Sequence, residues 1–280
     1  MPATFERLSW CRHCGRPGEM TDEHVPPKST GNEDPVQLIE DPFDLQSVLR
    51  QVAEWDEGHV VRTLDGRCNG RASDWGYVKE YRQWHDVFKV AHVAGRATRV
   101  DPFRGAHPFS IELPYDLMPA RFVRQVVGML LAVQESPELF AGSPQLADLI
   151  GGDPDDDEQP RSAGLPIEPL HLYVSVYSGA WAYGTCPLTS LTIDLRPSPL
   201  IVPAGARARE ADLYLLALAP FVFVAASEPQ QNVGLSISEW TTWDRSQRPG
   251  RRERSLNVPT VDVMQPGLRA MLYSNDYVCR

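Results

Sequence analysis

Three short stretches near the start of the chain carry residues suited to metal binding and hydrolysis. Cys11 and Cys14 form a C-x-x-C pair in CRHCG, Glu23 and His24 adjoin in DEHVPP, and Cys68 precedes Asn69 in RCNG. Two residues between cysteines let the backbone fold into a knuckle that points both thiolates at one ion. Thiolates favour a soft or borderline ion such as Zn²⁺. Cys68 offers a third sulfur, and structural zinc takes four ligands. Asp65 stands three residues before Cys68, the spacing of the first pair, and His59 lies a little upstream. Either can supply the fourth ligand. His13, inside the knuckle, is expected to face solvent. A C-x-x-C pair can instead be redox-active, and that alternative stays open here.

Glu23 and His24 suit a different chemistry. An imidazole near neutral pH can take a proton from water. A neighbouring carboxylate can hold a hard divalent ion, and the side-chain carbonyl of Asn69 can join it. Such an ion neutralises a phosphate oxygen and assists the leaving group. Pro26 biases Val25 away from helix, so His24 is expected on extended backbone facing a helix start. A single histidine is usually structural; its place between the knuckle and the third cysteine is what gives it weight.

These residues need elements to position them. HVVRTL at 59–64 reads as a short strand, and FDLQSVLRQVAEW at 43–55 has helical apolar spacing. After RCNG, the aromatic residues Tyr77, Tyr81, Trp84 and Phe88 recur every three or four positions, so residues 71–95 read as one helix. PARFVRQVVGMLLAVQESPELF at 119–140 has a broad apolar face from Phe122 to Leu131 and a proline suited to a first turn. GGDPDDDEQPRSAG at 151–164 has little to pack and reads as a flexible acidic linker. Beyond it, LHLYVSVY, LTSLTIDLR and VGLSISEW partly alternate. YLLALAPFVFVAA reads as a buried strand pair or a helix running into a strand. SLNVPTVDVM is expected to add an edge strand. The expected class is α+β. A zinc-stabilised module spans 1–105, a helical segment 106–150, the linker 151–164, and a β-rich accessory domain 165–280.

Bulk properties narrow the function. The 280 residues can bury a core without disulfide staples. Five cysteines, an odd number, favour metal binding in a reducing compartment, here the cytoplasm. The opening MPATFERLSW has no signal-peptide apolar core, and no apolar run is long enough for a membrane span. A net charge of −10 argues against indiscriminate nucleic-acid coating. Yet residues 62–104 hold nine Arg and Lys against five Asp and Glu. RSQRPGRRER at 245–254 is a second basic cluster. Within the first, Arg62, Arg67, Arg71 and Lys79 can meet backbone phosphates, positioning a strand without reading its sequence.

The order C-x-x-C, then D/E-H-V-x-P, then C-N-G resembles the HNH endonucleases, whose fold is the ββα-metal module. The resemblance covers about residues 11–75. It implies that Cys11, Cys14 and Cys68 hold a structural zinc, with Asp65 where many members have a fourth cysteine. It implies that His24 is a general base and that Glu23 and Asn69 hold a catalytic Mg²⁺ or Mn²⁺. The expected activity is phosphodiester hydrolysis, with double-stranded DNA as partner and a regulatory protein or ligand on the C-terminal region. Many proteins with this module serve phage defence. The other reading is a zinc-stabilised scaffold that binds nucleic acid or protein and carries a degenerate HNH site.

Overall fold

The computed structural model describes residues 10–32, 36–38, 53–55, 60–97, 109–114, 116–133, 171–177, 183–185, 191–192, 212–218, 220–226, 229, 234–242, 255–258, 260–261 and 277–279. The expected linker, His59 and the second basic cluster lie outside these residues.

A ββα arrangement opens the described chain. Strand β1 (Met20–His24) pairs antiparallel with β4 (Val60–Asp65), from Met20 opposite Asp65 to His24 opposite Val60. The register shifts between Thr21 and Glu23, where Asp22 opposes both Arg62 and Thr63, so the bulge lies on β4. Helix α1 (Gly66–Asp74) follows β4 directly. Asp65 is its N-cap: the carboxylate Oδ1 accepts a 2.7 Å hydrogen bond from the Cys68 N–H, pairing one of the first-turn donors. The expected strand before RCNG is therefore present and runs one residue further.

The single helix expected over 71–95 is two. Trp75 and Gly76 separate α1 from α2 (Tyr77–Ala97), and Gly76 has φ +73°, a left-handed conformation that stops a helix. The aromatic repeat begins after this break. Tyr77, Tyr81, Trp84 and Phe88 are all fully buried along one face of α2. Helix α3 (Pro119–Val133) starts on its proline, as expected. It is buried almost all round, because it lies between the ββα unit on one side and other core elements on the other.

Strands β2 (Val36–Leu38) and β3 (Ala53–Trp55) replace the end of the helix expected over 43–55; residues 43–52 are outside the description. They join a ten-stranded sheet formed otherwise by C-terminal strands. These are β6 (His171–Tyr177), β7 (Tyr183–Thr185), β8 (Leu191–Thr192), β9 (Asp212–Leu218), β10 (Phe221–Ala226), β11 (Leu235–Ser236), β13 (Thr260–Val261) and β14 (Tyr277–Cys279). The main order is β11-β6-β10-β9-β7-β14-β2-β3, with β13 on β6 and β8 on β9. YLLALAPFVFVAA is thus a strand pair, with Phe221 opposite Leu218 at the turn end. In SLNVPTVDVM, β12 (Ser255–Val258) pairs instead with β5 (Phe109–Glu112), and β13 runs parallel to β6.

One hydrophobic cluster takes Val25 and Val61 from the hairpin, the aromatic face of α2, most of α3, and β6, β9 and β10. Its centre is aromatic. Trp84 stacks on Phe122 at 4.8 Å, Phe88 meets Phe221 at 4.7 Å, and Trp84 meets Trp240 at 5.0 Å. Such pairs add roughly 0.5–1.5 kcal/mol each beyond their buried area. Glu80 is the polar pin of this core. Its Oε1 accepts from the Trp84 indole N–H at 2.8 Å and from the Met118 N–H at the start of α3. Replacing Glu80 with Ala leaves both buried donors without that acceptor. We expect a loss of about 2–4 kcal/mol in chemical denaturation.

Candidate metal centre

The knuckle forms because the backbone doubles back on itself. The Cys11 N–H donates to the Arg16 carbonyl at 2.8 Å, and the Gly15 N–H donates to the Cys11 carbonyl at 2.8 Å. Gly15, at φ +69°, makes the turn. The Arg12 N–H donates to the Thr63 carbonyl at 2.9 Å and so docks the knuckle on β4. Cys11 and Cys68 are buried and Cys14 is exposed. Ligand atoms of Cys11, Cys14, Asp65 and Cys68 all lie within 4.8 Å of one another.

This geometry fits zinc. A Zn–S bond of about 2.3 Å gives tetrahedral sulfur–sulfur edges of about 3.8 Å, a small contraction from the present spacing. Asp65 divides its carboxylate: Oδ1 caps α1, and Oδ2 accepts from the Cys14 thiol at 3.2 Å. The three thiols and the carboxylate are the expected sulfur ligands and the first of the two expected fourth ligands. Among the described residues no other grouping of three or more His, Cys, Asp or Glu has this reach.

Protonation of the four groups is linked. A hydrogen bond from the Cys68 thiol holds Cys11 down at about 5, against the opposing effect of burial. The same bond, with burial, pushes Cys68 far above the ordinary thiol value. Burial also raises Cys14. Burial opposes the ionised form of Asp65 too, but its hydrogen bonds with Cys68 and Cys14 prevail and hold the carboxyl below its usual value. A divalent ion that displaces the shared protons supplies the missing positive charge, so its capture releases protons and is favoured at higher pH.

The Glu23–His24 pair is arranged differently. Alternation along β1 sends the two side chains to opposite faces. Glu23 is 7% exposed and lines a small cavity, about 20 Å³, with His13, Tyr77, Arg124 and Gln125. That is room for about one water. Helix α3 covers this face. The expectation that His13 faces solvent is overturned: it is buried here, because the knuckle lies against β4 and turns that residue inward. His24 is half-buried. Asn69 ties α1 to β1, its amide nitrogen donating to the Asp22 carbonyl at 2.9 Å and to Thr21 Oγ1 at 3.2 Å.

The candidate cations differ in their surroundings. Arg62 is exposed but ion-paired with Asp22 across the hairpin. Arg71 lies 5.2 Å over the Trp75 ring, and Arg67 and Lys79 are exposed. What the sequence did not reveal is the buried polar set behind the metal cluster. Arg124 and Gln125 belong to α3, and their place between Phe122-Val123 and Val126-Val127 is what marks them.

Fold and site together define an α+β protein with an N-terminal ββα metal-binding module, a helical middle and a β-rich C-terminal sheet. No protein-family model matches the chain, and no curated protein or solved structure shows significant similarity to it. None of the described helices is long and apolar enough to cross a membrane.

Burial, helped by the negative charge at Cys11, raises the Glu23 carboxyl from 4.5 to about 8. The unfolded chain loses this proton near 4.5 and the folded chain keeps it to about 8. Stability therefore falls as pH rises through that window. Glu23→Gln, isosteric and neutral, should flatten this slope. At pH 8 and equal zinc saturation it should exceed the parent by on the order of a few kcal/mol in denaturant titrations.

Proposed function

We propose that the chain is a zinc-stabilised binding scaffold that keeps an HNH-like ββα framework without the catalytic arrangement. Cys11, Cys14, Asp65 and Cys68 hold the zinc, which fixes the knuckle, the hairpin and the start of α1 as one unit. The observation that carries this reading is the placement of Glu23. A residue that holds a hydrated Mg²⁺ or Mn²⁺ beside a phosphodiester must face substrate, and this carboxyl faces a cavity beneath α3. His24, on the opposite face, is left without Glu23 as a co-ligand.

Nucleic acid is the partner this surface favours. Arg67 and Lys79 are exposed, and Arg71 stacked on Trp75 presents a cation with an aromatic plane. Contacts of this kind position a phosphate backbone and do not cut it.

The test pairs cleavage with binding. Purified zinc-loaded protein is incubated with supercoiled plasmid and Mg²⁺ or Mn²⁺, beside His24→Ala. The same preparations are titrated with labelled duplex DNA across a salt series. The scaffold reading predicts no metal-dependent nicking by either protein. It predicts binding whose salt slope drops by about one for each of Arg67→Ala and Lys79→Ala. Nicking that needs Mg²⁺ or Mn²⁺ and disappears in His24→Ala would establish the endonuclease instead.

A further inference from the structure

The metal knuckle also holds the far end of α3. Arg12, between the two knuckle cysteines, donates from Nη1 to the Ala132 carbonyl at 2.9 Å. Thr63 Oγ1 on β4 donates to the same carbonyl at 2.9 Å. The last four carbonyls of a helix lack intrahelical partners, and a cation there also offsets the negative end of the helix dipole. The last turn of α3 has no basic residue of its own. The knuckle supplies one from 120 positions away in the chain.

We infer that the metal cluster acts as a zinc-responsive clasp on the C-terminal turn of α3. Arg12 can reach Ala132 only while the knuckle is closed around its cysteines and docked on β4 through the Arg12–Thr63 backbone bond. Cys14 and Asp65, the two outer members of the cluster, are joined by a thiol–carboxylate hydrogen bond. A zinc ion bound here would replace that bond with one coordinate bond to each of Cys11, Cys14, Asp65 and Cys68. Filling the site therefore fixes Cys11 and Cys14, and with them the intervening Arg12. Emptying it frees the knuckle to open and removes the cap from α3. Because α3 packs on β4 but lies outside the ββα unit, the metal state reaches beyond that unit to the end of this helix. The clasp makes the chain responsive to available zinc as well as stabilised by it.

The inference rests on the zinc-scaffold reading, and one experiment separates the two. Zinc content of the full chain is measured first. Amide hydrogen exchange is then followed with zinc and after chelation, for the parent and for Arg12→Met, which keeps the aliphatic stem and removes the donors. The clasp predicts one zinc per chain. Chelation should speed exchange roughly tenfold at residues 130–133 and leave residues 81–88 of α2 unchanged. Zinc-loaded Arg12→Met should show the same local acceleration with its zinc intact. A chain that takes up no zinc would overturn both the zinc reading and the clasp. Zinc binding with unchanged exchange at 130–133, uniform loss of protection everywhere, or an Arg12→Met variant identical to the parent would overturn the clasp alone.

Discussion

Three thiols and a carboxylate packed within 4.8 Å are an electrostatic problem before they are a site. Fully ionised they repel one another; fully protonated they leave donors and acceptors crowded beside a core. Hydrogen bonding eases part of this conflict: the Cys68 thiol favours the ionised form of Cys11, and the Cys14 thiol donates to Asp65. A divalent cation removes the conflict, and much of the N-terminal architecture follows from placing the four groups to receive it. The C-x-x-C turn, the antiparallel pairing of β1 with β4, and the N-cap of α1 each deliver one or two ligands.

Asp65 shows how tightly these roles overlap. A cysteine at this position would be the stronger zinc ligand but a poor helix cap. Aspartate does both, one oxygen on the Cys68 N–H and the other toward the cluster. Metal binding and the direction of α1 thus depend on the same side chain. The same economy appears at Arg12, whose backbone docks the knuckle on β4 and whose guanidinium caps α3.

The local parts of this design were legible in the sequence. The knuckle, the strand before RCNG, the aromatic face of α2 and the apolar face of α3 all follow from spacings of a few residues. What spacing could not show is which surface another element covers. Glu23 reads as a metal ligand because it adjoins His24, yet α3, about a hundred residues later, closes over its side. His13 reads as solvent-facing for the same reason. Gly76 does not read as a break because the aromatic repeat beyond it is strong. Its conformation, with φ +73°, shows only in three dimensions. Strands β2 and β3 join a sheet built from residues beyond 170, a pairing that no local pattern encodes.

The central claim is that zinc is bound by three sulfurs and one carboxylate oxygen. X-ray absorption at the zinc edge of the loaded protein tests it most directly. The account predicts about three sulfur scatterers near 2.3 Å and one oxygen near 2.0 Å, with the oxygen shell altered in Asp65→Cys. A shell made of nitrogen and oxygen alone, or one unaffected by changing Asp65, would contradict it.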